Sequence, residues 1–330
     1  MDRPTDDLDR RILDEWQRDF PMAPRPFAVI ADALGIIESE VLRRLHRLHQ
    51  TGTITRVGAT CAPNTVSAST LAAIAVPEWR IEEVARIVND APGVNHSYLR
   101  EHQWNLWFVA TGPDRAHVDA ALAGIEATSG LRVLDLRLER AFNIDLGFSL
   151  DGSRKALPPP RPVRTDALRT GDRDILQILT SGLPLVAEPY GEIANRLGRS
   201  EDDIITRIAA LQEAGIIARY GVIVRHRALG WRSNAMVVWD LPSEAIDTAG
   251  PVLAAHPGVT LCYERRPVGD IWPYRLYSMI HARSRSEALE VLDAASELPV
   301  LAGVPHRALF STRCFRQQGA LIKESGSITA

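Results

Sequence analysis

The chain has 330 residues, 45% hydrophobic and 24% charged, with 38 Lys plus Arg set against 41 Asp plus Glu for a formal charge of −3. That profile excludes a disordered, collagen-like or disulfide-stapled chain and fits two or more ordinary globular domains. The near balance of charge also weakens a reading as a dedicated nucleic-acid binder, which needs a basic excess to neutralise phosphates. The three cysteines, Cys61, Cys262 and Cys314, are scattered and form no Cys-x-x-Cys pair. A reducing compartment without a structural zinc site is therefore expected. MDRPTDDLDRRIL at the start has no apolar run after a basic segment, and nothing approaches the ~18 apolar residues of a membrane span. The expected location is the cytoplasm.

Two copies of one unit follow each other along the chain. Asp9-Arg10-Arg11-Ile12-Leu13 returns as Asp172-Arg173-Asp174-Ile175-Leu176, and Ala31, Gly35 and Val41 return as Ala194, Gly198 and Ile204, at an offset of 163 residues. Pro92-Gly93-Val94, Tyr98 and Arg100 return as Pro257-Gly258-Val259, Tyr263 and Arg265 at an offset of 165. A register held this long marks an internal repeat. Leu8, Ile12 and Trp16 have helical spacing. The spacing Ala31, Gly35, Val41 is that of a helix-turn-helix, with the small residue at the crossing and glycine in the turn. Glu38 to Gln50 reads as the third helix and ITRVGA after it as a wing. LAAIAVP (71–77) reads as a strand, Ile81 to Asn89 as a helix, Val94 to Thr111 as two strands, Ala116 to Ala127 as a helix and Leu131 to Leu138 as a strand. That order is ferredoxin-like.

The expected fold is α+β: a tandem repeat of a winged helix-turn-helix and a ferredoxin-like αβ-sandwich, forming a pseudo-twofold internal dimer. Its bounds are 1–62 and 63–150 for the first pair of domains, 151–168 for a proline-rich linker, and 169–224 and 225–330 for the second pair. The plan resembles the Lrp/AsnC-type transcription regulators. Chemistry argues against DNA reading, because Glu38 and Glu40 in copy one, and Glu201, Asp202 and Asp203 in copy two, crowd the end of the helix that would meet the groove.

VNHSYLREHQWNLWF (94–108) carries His96, Tyr98, Arg100 and His102 at period two. On a strand these share one face, which suits a pocket for an anion better than a core. Asn105 and Trp107 continue the polar and aromatic character. In copy two, Tyr263 and Arg265 remain and Arg266 is added, while Leu261 and Pro267 replace the two imidazoles. Trp272-Pro273-Tyr274 follows an insertion.

In these segments the chain resembles the siroheme decarboxylases in the form where two Lrp/AsnC-like subunits are fused. His96-Ser97-Tyr98-Leu99-Arg100-Glu101-His102 and Asn105-Leu106-Trp107-Phe108 match one subunit type, with Ser97 where the family has Asn. Cys262-Tyr263-Glu264-Arg265 and Trp272-Pro273-Tyr274-Arg275-Leu276 match the other, with Leu261 where the family has His. The resemblance implies a carboxy-lyase that converts siroheme to 12,18-didecarboxysiroheme by loss of two acetate carboxyl groups, toward heme d1 or an alternative heme. It implies siroheme as partner and no added cofactor; no membrane is expected from the lack of a long apolar run and no DNA from the acidic helix ends, and further oligomerisation of the internal dimer is left open. The alternatives are a DNA-binding regulator of the Lrp/AsnC type and a haem sensor or carrier.

His96, His102 and Arg100 are the expected catalytic set, with His96 or His102 a possible axial ligand to the substrate iron. Tyr98, Asn105, Trp107, Arg225, His226, Tyr263, Arg265, Arg266 and Trp272 are the expected substrate contacts. His46 and His49 read as solvated or packing residues, and His117, His256, His281 and His306 as structural ones.

Overall fold

The structure is a computed structural model and describes residues 6–143 and 162–323. Most of the expected linker therefore lies outside the described residues. Copy one runs α1 (Asp7–Glu15), α2 (Pro26–Leu34), α3 (Glu38–Gln50), β1 (Ile54–Cys61), β2 (Ala68–Ile74), α4 (Ile81–Asp90), β3 (Val94–Arg100), β4 (Leu106–Gly112), α5 (Arg115–Ser129), β5 (Val133–Leu136) and β6 (Leu138–Asn143). Copy two runs α6 (Asp172–Ser181), α7 (Pro189–Leu197), α8 (Glu201–Glu213), β7 (Ile217–Val224), β8 (Ser233–Trp239), α9 (Ile246–Ala255), β9 (Val259–Arg265), β10 (Leu276–Ala282), α10 (Arg285–Ser296) and β11 (His306–Gln317). Among the described residues no helix is long and apolar enough to cross a membrane.

The chain divides into two compact units, Met1–Ser67 with Gly147–Arg225 and Gly319–Ala330, and Ala68–Leu146 with His226–Gln318. Like domains of the two copies thus share a unit. The chain also returns to the first unit after Gln318, so the end of the expected 225–330 domain belongs elsewhere. Ile322 is buried there, and its N–H donates to the Gln177 side chain on α6.

In the first unit, the Asp6 carboxylate caps α1 by accepting from Asp9 N–H, Pro26 occupies the first turn of α2, and Gly35 ends α2 at φ 68°. The two wings pair antiparallel, Val57 opposite Val222 and Gly58 opposite Gly221. A Cβ on Gly221 would lie 2.4 Å from the Trp16 carbonyl oxygen, so only glycine fits where α1 ends against β7. Arg44 on α3 is buried against Asp9 at 2.9 Å and also binds Asp6 and Glu40. Arg47 pairs with Asp9, and Arg43 with Glu40 at 2.6 Å. The arginines of this helix are thus engaged by carboxylates of their own unit. The repeat reproduces the device, with Arg207 on α8 buried against Asp172 at 2.6 Å.

In the second unit the strands form one nine-stranded sheet, ordered β5-β2-β4-β3-β11-β8-β10-β9-β6. Each copy contributes the ferredoxin order, and each sends its last segment to the other. The segment expected as a single strand over 131–138 breaks at Arg137: β5 pairs with β2, while β6 pairs with β9 of copy two. Reciprocally, β11 pairs with β8 through Phe310 and then with β3 of copy one. Because β5 and β6 are consecutive, the two ends of the sheet meet and the sheet curls on itself. On its outer face Ile74, Leu106 and Phe108 pack against Val84 of α4 and Val118 of α5, and Val237 and Trp239 against Leu253 of α9 and Leu292 of α10. Its inner face gathers side chains of both copies, among them Leu71, Trp107, Leu136, Met236, Tyr263, Trp272, Tyr277 and Leu309. This shared face carries the candidate site residues of β3 and β9.

Candidate active site

Register fixes which side chains of β3 turn inward. Tyr98 lies opposite Trp107, an inner-face residue, and Ser97 opposite Phe108, an outer-face one. The Ser97 hydroxyl accordingly meets Asn89 of α4 at 2.6 Å. His96 is opposite Val109, after a register shift at Asn95, and points inward with Tyr98. The two rings stack with centroids 6.4 Å apart, and the Arg100 guanidinium sits 5.6 Å from the Tyr98 centroid. Of the four residues expected on one strand face, His96, Tyr98 and Arg100 lie together on β3, whereas His102 falls beyond the strand.

His102 reaches the same region by another route. It lies past the end of β3, so pleating does not aim it. Its N–H donates to the Arg100 carbonyl at 3.0 Å, and its Nδ1 accepts from Trp104 N–H at 3.0 Å. That bond places the ring proton of neutral His102 on Nε2. The ring meets Trp272 edge-on at 5.4 Å, and Trp272 in turn meets Trp107 at 5.2 Å. Burial, with the nearby Arg307 charge, lowers the His102 pKa below the ordinary histidine value.

Copy two repeats the guanidinium-over-tyrosine arrangement. Arg265 lies 4.6 Å from the Tyr263 centroid, and Tyr263 stacks on Tyr277 at 5.7 Å. Arg265 Nη1 donates to the Leu136 carbonyl at 2.8 Å, as Arg100 Nη1 donates to the Leu309 carbonyl at 2.9 Å. In both residues the Nε–H is buried without a hydrogen-bond partner among the described residues. A buried guanidinium with an unsatisfied donor is costly in isolation and is suited to a carboxylate ligand. Burial pushes the Arg100 pKa down to about 10, which still leaves it cationic at neutral pH.

Other expected contacts are placed differently. The Asn105 side chain is spent on Val76, accepting from its N–H at 2.9 Å and donating to its carbonyl at 2.8 Å, so it pins a loop rather than lining the site. Trp107 and Trp272 are almost wholly buried and form walls; their indole N–H groups donate to the Trp104 carbonyl and the Tyr277 hydroxyl, both at 2.7 Å. Arg266 is directed to Glu139 at 3.3 Å and is largely exposed. Arg225 belongs to the first unit, its N–H donating to the Thr53 carbonyl and its guanidinium covering Gly52. His226 begins the second unit and sits 6.1 Å from His281. Cys262 is buried, its thiol pushed up to about 12 by burial, and is an inert packing residue.

His281, expected to be merely structural, joins the site. Arg100 Nη1 donates to Asn234 Oδ1 at 3.1 Å, Asn234 Nδ2 lies 2.6 Å from His281 Nε2, and His281 Nδ1 lies 2.7 Å from Thr260 Oγ1. Burial, reinforced by the Arg100 charge, pushes the His281 pKa down to about 4. The sign of the consequence is fixed. Below its unfolded value the unfolded chain takes up a proton that the native state refuses, so stability present at neutral pH falls as pH drops from about 6.5 toward 4. Between pH 7 and 5 this contributes about 2 kcal/mol of loss. His281→Asn is expected to flatten the acid limb of the thermal midpoint–pH curve relative to the native chain; parallel curves would contradict the assignment.

Comparison with known proteins bears on the family and the fold. The chain matches the AsnC-like ligand binding domain over residues 66–143 and 228–316, and the siroheme decarboxylase NirDL-like HTH domain over residues 9–54 and 172–217. It is 58% identical over 319 residues to the siroheme decarboxylase NirDL subunit of Paracoccus denitrificans, covering 97% of this chain and 98% of that one. It is 30% identical to the siroheme decarboxylase of Hydrogenobacter thermophilus, covering 93% and 92% of the two chains. Among solved structures it resembles the siroheme decarboxylase NirDL in complex with an iron-uroporphyrin III analogue, at 28% identity and a TM-score of 0.66, covering 96% and 95% of the two chains.

Proposed function

The chain belongs to the siroheme decarboxylases in their fused NirDL form, and from that premise we propose that its carboxy-lyase chemistry takes place on the inner face of the curled sheet. The substrate is siroheme and the product 12,18-didecarboxysiroheme. One observation carries the location: two pseudo-twofold-related guanidinium groups, each lying over a tyrosine and each with a buried Nε–H lacking a partner, face a wall of aromatic residues. Siroheme is a flat apolar ring with carboxylates on its rim, and this face offers the complement of both. The arginines of α3 are engaged by carboxylates, which supports a role without DNA. A cytoplasmic setting belongs to the same reading.

Arg100 holds an acetate carboxylate through paired charge-assisted bonds and sets its C–C bond against the macrocycle. The bond breaks with its electron pair passing into the conjugated ring, carbon dioxide leaves, and a proton is delivered to the remaining carbon. No cofactor is needed, because the tetrapyrrole is the electron sink. His102 suits delivery better than iron ligation, since Trp104 N–H already occupies its Nδ1. Its Nε2–H, fixed by that bond, is the proton it presents to the substrate carbon, and burial with the Arg307 charge disfavours a second ring proton in the free protein. His96, stacked on Tyr98, is the better placed of the two for the iron or for a second proton.

The His96–Arg100–His102 side is proposed as the productive one, since Leu261 and Pro267 stand in the equivalent places of copy two. His96→Ala and His102→Ala are each expected to slow siroheme turnover by about a hundredfold, the usual worth of general-acid catalysis. The test is an anaerobic time course followed by product mass. Unchanged rates in both variants would exclude the assignment.

A further inference from the structure

Arg100 is held in a way that Arg265 is not. Both hydrogens of Arg100 Nη1 are taken, one by the Leu309 carbonyl and one by Asn234 Oδ1. The Nε–Nη2 edge, which makes two parallel bonds to a carboxylate, is thereby turned away from the strands that hold it. Arginine only donates, so the Asn234 amide must present oxygen to Arg100 and nitrogen to His281. His281 must then accept at Nε2 and donate from Nδ1 to Thr260, whose hydroxyl donates to the Met279 carbonyl at 3.0 Å. Each proton in this chain has one consistent position. At the pseudo-twofold positions stand Ser69 and Thr111, in place of Asn234 and His281. The Thr111 hydroxyl donates to the Gly93 carbonyl instead. Arg265 has the carbonyl anchor without the amide.

We propose that Asn234, oriented by His281, is a positioning residue for substrate capture: it fixes the Arg100 guanidinium so that its bidentate edge meets the siroheme carboxylate, and the anchor supplied by copy one is completed by copy two. Asn234 touches Arg100 and His281 touches Asn234, so both act through Arg100. The network explains why His281 is held neutral: a proton on Nε2 would oppose the Asn234 amide nitrogen, and a turned amide would put that nitrogen against Arg100. The inference rests on the reading of Arg100 as a carboxylate anchor.

The test is a double-mutant cycle read by anaerobic spectral titration with siroheme, using Asn234→Ala and His281→Phe in the native and Arg100→Met backgrounds. With Arg100 present, each is expected to raise the siroheme Kd about tenfold, the effect of losing one hydrogen bond to a charged group. With Arg100→Met, neither is expected to change Kd more than about twofold. Equal losses in both backgrounds, or no loss with Arg100 present, would overturn the positioning role. The two variants guard against one failing to fold, and thermal midpoints measured alongside show any purely structural effect, which is equal in the two backgrounds. A native Kd for Arg100→Met alone would instead sink the anchor reading, and the positioning role with it.

Discussion

Arg100→Met is expected to lower kcat/KM for siroheme about a thousandfold while leaving the free protein as stable as before. The activity loss follows from removing a buried, charge-assisted carboxylate contact, whose truncation costs 2–5 kcal/mol or more in comparable sites. The stability claim follows from the environment. Burial lowers the Arg100 pKa to about 10, so the native state carries the charge at a cost of about 3 kcal/mol. Methionine fills similar volume without that cost, which offsets the loss of the bonds to Asn234 and Leu309. Arg100→Lys keeps the charge but not the fork and is expected to recover part of the activity. A site that is strained when empty and relieved by its ligand is the common trade of stability for function. A large drop in thermal midpoint with activity retained would reverse the argument.

The largest stability effect is expected in the other unit, at Asp172→Ala. Its carboxylate binds Arg207 at 3.0 and 2.6 Å and accepts from Arg169 N–H at 2.7 Å. Both partners of the ion pair are buried. Removing the acid leaves a buried cation uncompensated, which costs roughly 3–5 kcal/mol. The equivalent Asp9→Ala is expected to cost less, because Asp6 and Glu40 remain beside Arg44. Calorimetry of both variants tests this; equal midpoints for Asp172→Ala and the native chain would remove the pair from the account of stability.

The repeat, the helix-turn-helix spacing and most of the period-two face, His96, Tyr98 and Arg100, were legible in the sequence because each is a local pattern; His102 was expected on that face too, but β3 ends at Arg100. What was not legible came from non-local pairing. His281 looked structural because its partners lie far away in sequence: Asn234 on β8 and Arg100 on β3, brought near only when β11 crosses between them. The exchange of β6 and β11 between copies was hidden for the same reason, since a strand pattern does not name its partner. Asn105 reads as a pocket residue because a polar residue beside aromatic ones suits a pocket, whereas the Val76 backbone claims both ends of its amide. Arg225 and His226 looked like one basic cluster, yet the boundary between units falls between them.

An anaerobic crystal structure with siroheme bound tests the assignment most directly. The expected result is a substrate carboxylate within ~3 Å of Arg100 Nε and Nη2, with the ring near Tyr98 and an edge toward His102. A macrocycle seated away from β3, with Arg100 still bound only to Leu309 and Asn234, would contradict it.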